Sequence, residues 1–154
     1  MATIWKKLNL KGQLEIVVYD APASFEAAVG ELGDVKVRRT LSDSAPVTFL
    51  LAFVTKEEEI ARLAKGIGKR AEGDATIWLA YPKGSSKRLK CDFNRDNGWL
   101  PLGDAGFEGV RQVAIDEDWS AIRFRRVEFI KKITRDPTRA MTEVAKERIH
   151  RTRA

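Results

Sequence analysis

The run Val47-Thr48-Phe49-Leu50-Leu51-Ala52-Phe53-Val54 is interrupted by a single polar residue, Thr48. A strand apolar on both faces must be covered on both, which is the position of an interior strand in a parallel sheet. The flanking sequence supplies the rest of such a sheet. Leu14-Glu15-Ile16-Val17-Val18-Tyr19, stopped by Asp20-Ala21-Pro22, reads as a first buried strand. Val35 to Thr40 is a shorter second one, and Ala75-Thr76-Ile77-Trp78-Leu79-Ala80-Tyr81, broken by Pro82, is a fourth.

Helical periodicity fills the gaps between these runs. Ser24 is placed to cap a short helix carrying Phe25, Ala28, Val29 and Leu32 and closing near Gly33. Thr55 and Glu58 have capping-box spacing ahead of the stripe Ile60, Leu63, Ala64 and Ile67. Glu57, Glu58 and Glu59 in the first turn, with Lys69 and Arg70 near the end, suit the helix dipole; Gly73 supplies a stop. An irregular helix is predicted from about Asp92 or Asn94 to Gly106, because Gly98 and Pro101 interrupt it. Gly109 to Ile115 and Trp119 to Val127, joined by Asp116-Glu117-Asp118, form an antiparallel hairpin. Asp136-Pro137 opens a last helix with Ala140, Met141, Val144, Ala145 and Ile149 on one side.

Strands alternating with helices imply parallel βαβ units with right-handed crossovers. The chain of 154 residues suits one α/β domain over 1–130, followed by a basic helical extension over 131–154. That extension holds eight basic and three acidic residues, so it carries +5 of the net +6 and leaves the body near neutral. A polybasic end can attract polyanions weakly, or simply form a solvated helix face. No apolar run approaches the roughly 20 residues that span a bilayer, so no membrane partner is expected. The first residues, Met1-Ala2-Thr3-Ile4-Trp5-Lys6-Lys7, show no export signal, and Cys91 has no partner for a disulfide. A cytoplasmic location is the expectation.

A terminal antiparallel hairpin on a parallel sheet resembles the class I methyltransferase fold over Leu14 to Val127. The expected class is therefore α/β: a mostly parallel twisted sheet with helices on both faces and a C-terminal hairpin, of methyltransferase-like Rossmann type, plus a C-terminal helix. The wording of the sequence is similar to that of a bacterial family known as domain of unknown function three-zero-five-two. Trp78-Leu79-Ala80-Tyr81-Pro82-Lys83, Asn94-Arg95-Asp96, Trp99, Val110 to Asp116 and Trp119 to Arg125 carry that likeness. It covers about half the chain and implies no activity. Methyltransferases hold S-adenosylmethionine on a glycine-rich turn after the first strand and grip its ribose with an acid ending the second. Here the turn is Asp20-Ala21-Pro22-Ala23-Ser24 and the second strand ends in Arg38-Arg39. On those grounds no cofactor, and no methyl transfer with this one, is expected.

One histidine (His150) and one cysteine leave no zinc cluster and no Ser-His or Cys-His catalysis within a subunit. Cys91, between Lys90 and Asp92 with Arg88 near, has no resolving thiol or base beside it in sequence and reads as incidental. The carboxylates Asp92, Asp96, Asp116, Glu117 and Asp118 read as caps and ion-pair partners before they read as metal ligands. Arg123 and Arg125 share a strand face and need acidic partners or a ligand. Trp78, Trp99 and Trp119 read as core anchors.

The stretch with most chemistry is the loop Lys83-Gly84-Ser85-Ser86-Lys87-Arg88-Leu89-Lys90. It leaves the carboxyl end of a central strand, the edge where open α/β sheets bind ligands. Its lysines, Arg88 and backbone donors suit a small anionic ligand, although the spacing is not that of a P-loop; a solvated loop fits equally. Asp20, Lys83, Gly84, Ser85, Ser86, Lys87, Arg88 and Arg95 are the candidate ligand-binding residues, with no catalytic or metal-binding residue among them. The leading expectation is a non-catalytic binding or regulatory module. An enzyme acting on a small phosphorylated substrate through Lys83, Lys87 and an acid such as Asp20 or Asp92 is the alternative; a nucleic-acid accessory protein using the basic tail is the second. Composition does not specify an oligomeric state.

Overall fold

A computed structural model describes residues 3–41, 45–87, 89–93 and 98–130. Arg88, Arg95 and the basic extension, with the last helix expected there and His150, lie outside the described residues. The elements, in order, are α1 (Thr3–Lys7), β1 (Glu15–Tyr19), a 3-10 turn (Ala23–Phe25), α2 (Glu26–Gly30), β2 (Lys36–Arg38) and β3 (Val47–Phe53). Then come α3 (Glu57–Arg70), β4 (Ala71–Pro82), α4 (Leu100–Asp104), β5 (Phe107–Ala114) and β6 (Trp119–Arg126).

Six strands form one sheet in the order β2-β1-β3-β4-β6-β5. The first four are parallel; β6 runs antiparallel to β4, and β5 antiparallel to β6. The chain goes outward from β1 to β2 and returns on the other side as β3. The β1/β3 boundary is thus the topological switch point, where ligands of such sheets gather. This is the expected α/β class, with helices on both faces. On one face α3 lays Ile60, Leu63, Ala64 and Ile67 on Val17, Leu50, Ala52, Ile77 and Leu79. On the other, Trp5, Leu8, Phe25 and Leu32 cover Ile16, Val18, Phe49, Leu51 and Trp78.

Several local expectations give way to packing. The helix α1 has no long periodic signal, yet its Trp5 is fully buried and its indole N–H donates to the Ala28 carbonyl at 2.8 Å. Ser24 makes no side-chain cap: Pro22 stands at the turn's N-cap, and the helix after it is one turn shorter than predicted. The box at α3 is shifted by one residue, so that Glu59, not Glu58, reaches back. Its Oε1 accepts from the N–H groups of Thr55 and Lys56, both at 3.1 Å, and from the Thr55 hydroxyl at 3.2 Å. The strand β4 begins directly after α3, and Gly73 (φ 58) is a bend inside it rather than a gap before it. The irregular helix shrinks to five residues. Gly98 at φ 87 is left-handed and cannot propagate a helix, whereas Pro101 is suited to a first turn.

Asp92, where that helix was expected to begin, does something else. The Asp92 carboxylate accepts the Glu57 N–H at 2.7 Å, and the Asp92 N–H donates to the Thr55 carbonyl at 3.3 Å. A residue 35 positions away in sequence therefore caps α3. Asp92→Ala is expected to cost about 1 kcal/mol, the usual value of an N-terminal cap. Chemical denaturation measures it; an unchanged midpoint would show that Glu59 alone suffices.

Candidate functional site

At the carboxyl end of β4 the chain turns sharply and is pinned to the β5/β6 hairpin. The Lys83 N–H donates to the Asp118 carbonyl at 2.7 Å, and the Ser86 N–H closes a turn on the Lys83 carbonyl at 3.0 Å. The Ser86 hydroxyl donates to Asp118 Oδ1 at 2.8 Å and accepts from the Leu89 N–H at 3.1 Å. Asp116 shapes the hairpin turn, its Oδ1 accepting from the N–H groups of Asp118 and Trp119 at 2.8 and 2.9 Å. These carboxylates are thus used in turns. Among the described residues no group of three or more His, Cys, Asp or Glu is placed to hold a metal ion.

The turn borders an open cavity of about 520 Å³. Lys83, Gly84, Ser85 and Ser86 line it, and Lys90 supplies a second cation. Lys87 is exposed and lies off the lining. Ser86 is present but its hydroxyl is committed to holding the loop. Asp20 follows β1, which β3 separates from β4, two strand spacings or roughly 10 Å away.

The floor holds a residue that the sequence reading passed over. Gln112 of β5 donates from Nε2 to the Tyr81 hydroxyl at 2.8 Å and to the Ser120 hydroxyl at 3.4 Å. Strand parity was the signal: Gln112 lies opposite Ile122 in the ladder, on the face that β6 shares with Tyr81. Behind it, Tyr81, Phe93 and Trp99 pack with ring centroids 5.1–6.0 Å apart. Cys91 lines the same cavity, and its thiol lies 2.8 Å from the Phe93 carbonyl.

A second cavity, of about 390 Å³, opens between the end of β1 and α3 at the switch point. Tyr19, Thr40, Glu59 and Arg62 give it polar edges, and Leu41 and Leu63 apolar ones. Asp20 beside it has φ 54, the left-handed conformation that a glycine would normally supply. The two arginines ending β2 are both engaged. Arg38 pairs with Glu15 and donates to the Pro46 carbonyl at 2.8 Å. Arg39 binds Glu26 with two hydrogen bonds of 2.8 and 2.9 Å, which hold the Glu26 carboxyl below its ordinary range.

No family model and no curated protein matches the sequence. Solved structures do match the fold. A SAM-dependent methyltransferase from Aquifex aeolicus aligns over 80% of this chain and 88% of its own, at 16% identity and a TM-score of 0.58. Magnesium protoporphyrin IX methyltransferase from Synechocystis PCC 6803, with bound SAM, aligns over 80% and 76%, at 13% identity and 0.54. The pyocyanin biosynthetic protein PhzM aligns over 80% and 53%, at 13% identity and 0.56. At such identities the likeness is one of fold.

These neighbours correct two expectations. A chain outside methyl transfer rested on the missing glycine and ribose acid, and a non-catalytic binding or regulatory module on these and on the single histidine and cysteine. The fold is one that SAM-dependent methyltransferases share, and Asp20 holds a left-handed backbone after β1 without a glycine. The arginines in place of the acid are neutralised by Glu15 and Glu26. Glu59 of α3 also lines the switch-point cavity, with its Oε1 engaged by Thr55 and Lys56.

Proposed function

We propose that this chain is an enzyme of the SAM-dependent methyltransferase kind, acting on a small anionic substrate held at the carboxyl end of β4. The observation that carries the reading is the cavity bordered by Lys83 and Lys90, one strand from the switch point. Asp20, with its left-handed backbone, and the hydroxyls and carboxylate of Tyr19, Thr40 and Glu59 fit a nucleoside cofactor there. That group would supply an electrophilic methyl. The protein's part is positioning: Lys83 and Lys90 hold the anion, and Gln112 and Tyr81 fix the floor beneath it. Kinship to the family of unknown function three-zero-five-two, and work in a reducing cytoplasm, belong to the same reading. Among the described residues no helix is long and apolar enough to cross a membrane.

Two titrations test the reading. S-adenosylhomocysteine is expected to bind in calorimetry with micromolar affinity and to raise the melting temperature by mass action. A panel of phosphorylated small molecules should contain compounds that do the same, and Lys83→Ala and Lys90→Ala should each weaken them by about tenfold or more, the worth of one charge-assisted contact. Failure of S-adenosylhomocysteine to bind at millimolar concentration would overturn the methyl-transfer assignment. A panel without effect, or lysine variants that respond as wild type does, would overturn the substrate assignment.

A further inference from the structure

The face of the sheet opposite α3, and so opposite the face on which Tyr19 and Tyr81 line the two cavities, ends in a row of arginines. Alternation along β6 puts Trp119, Ala121, Arg123 and Arg125 on this face, and the ladder sets Arg123 beside Trp78 on one side and Arg111 on the other. Arg125 is satisfied: it grips Asp74 with bonds of 2.8 and 2.6 Å, which hold the Asp74 carboxyl below its ordinary range. Arg126 is satisfied as well, donating to the Gly68 and Ala71 carbonyls at 3.2 and 2.9 Å with its guanidinium 4.9 Å from the centre of the Phe107 ring. Arg123 is not. Its Nε is buried and has no hydrogen-bond partner among the described residues. Burial, and the like charges of Arg125 and then Arg111, push its pKa down, with Asp74 opposing them. Buried Glu108 stands opposite Arg125, two ladder pairs from Arg123.

Two guanidiniums side by side, one half-buried and short of an acceptor, are costly in the free protein. A fork of N–H donors that no carboxylate fills among the described residues matches a tetrahedral oxyanion. We propose that Arg111 and Arg123 form a binding site for a phosphate group, distinct from the Lys83 cavity. A phosphate carries between one and two negative charges near neutral pH and offers several acceptor oxygens. It would neutralise both arginines, with exposed Arg111 closing from the edge strand β5.

Inorganic phosphate is the probe, titrated calorimetrically into the full chain at constant ionic strength. The Lys83→Ala/Lys90→Ala double variant removes the cations of the other cavity, and it is expected to retain phosphate binding. Adding Arg123→Gln or Arg111→Gln to it should weaken that binding by tenfold or more. Arg123→Gln alone should leave the melting temperature without phosphate unchanged or higher, because it removes an uncompensated charge. Loss of all phosphate binding in the lysine double variant would overturn the site, as would binding that persists unchanged when Arg123 is glutamine.

Discussion

Trp78→Ala is expected to remove about 3–5 kcal/mol of stability, the range for deleting a large buried aromatic. Trp78 is fully buried in the middle of β4, and its indole N–H donates to the Leu8 carbonyl at 2.7 Å. Its ring shares the apolar cluster of Trp5, Leu8, Phe49 and Leu51. The alanine variant therefore loses packing area, leaves a cavity, and orphans a carbonyl of the segment that follows α1. Trp78→Phe separates these terms. It keeps most of the apolar volume but not the donor, and an unsatisfied buried acceptor costs about 1–3 kcal/mol. Urea unfolding of both variants reads the two losses. A loss below 1 kcal/mol for the alanine variant would mean that α1 docks without the tryptophan and that the cluster collapses to fill the space.

That contact also marks where the sequence stops being legible. The apolar run of β3 and the stripe of α3 can be read locally, because each repeats a single period over many residues. Nothing local says that the backbone carbonyl of Leu8 is the acceptor of an indole 70 positions away. The short helix α1 is held by that bond and by Trp5 rather than by its own propensity, so five residues of pattern were too few to predict it. The capping of α3 shows the same limit. Glu58 and Glu59 are equivalent in sequence, and the choice between them is made by where the chain leaves β3.

At the candidate site the loop was legible and its occupants only in part. Strand order places Lys83 to Ser86 at the ligand edge, and that placement depends on βαβ topology alone. Whether a serine offers its hydroxyl to a ligand or spends it on Asp118 depends on the hairpin turn, 32 residues further on. Gln112 arrives by antiparallel register, which a bulge at Gly109/Arg111 resets. The turn at Asp20 was hidden for a different reason. Glycine is the common residue for a left-handed turn, but aspartate also adopts it, at a cost. Composition at one position therefore could not exclude the turn's geometry.

Gly98→Ala is expected to cost about 2–4 kcal/mol through two terms that both act at the wall of the Lys83 cavity. The residue has φ 87, where a side chain is strained whatever the space around it. A methyl there would also meet Cβ of Phe93 at 2.8 Å and its Cγ at 3.2 Å. The Phe93 Cβ is fixed to the backbone beside Asp92, so it cannot swing aside as a chain tip could. The ring is held in turn by Tyr81 and Trp99. Relief must come from moving the backbone at Phe93, which would pull the Asp92 cap from α3 and the Phe93 ring from the cavity lining. Gly84→Ala is the control: nothing lies within 4 Å of its added methyl and its φ is ordinary, so stability should change by less than about 0.5 kcal/mol. Thermal and urea unfolding of the pair should therefore diverge sharply. Equal stabilities would mean that the segment around Gly98 yields freely, and the aromatic wall would then be no fixed boundary for a ligand.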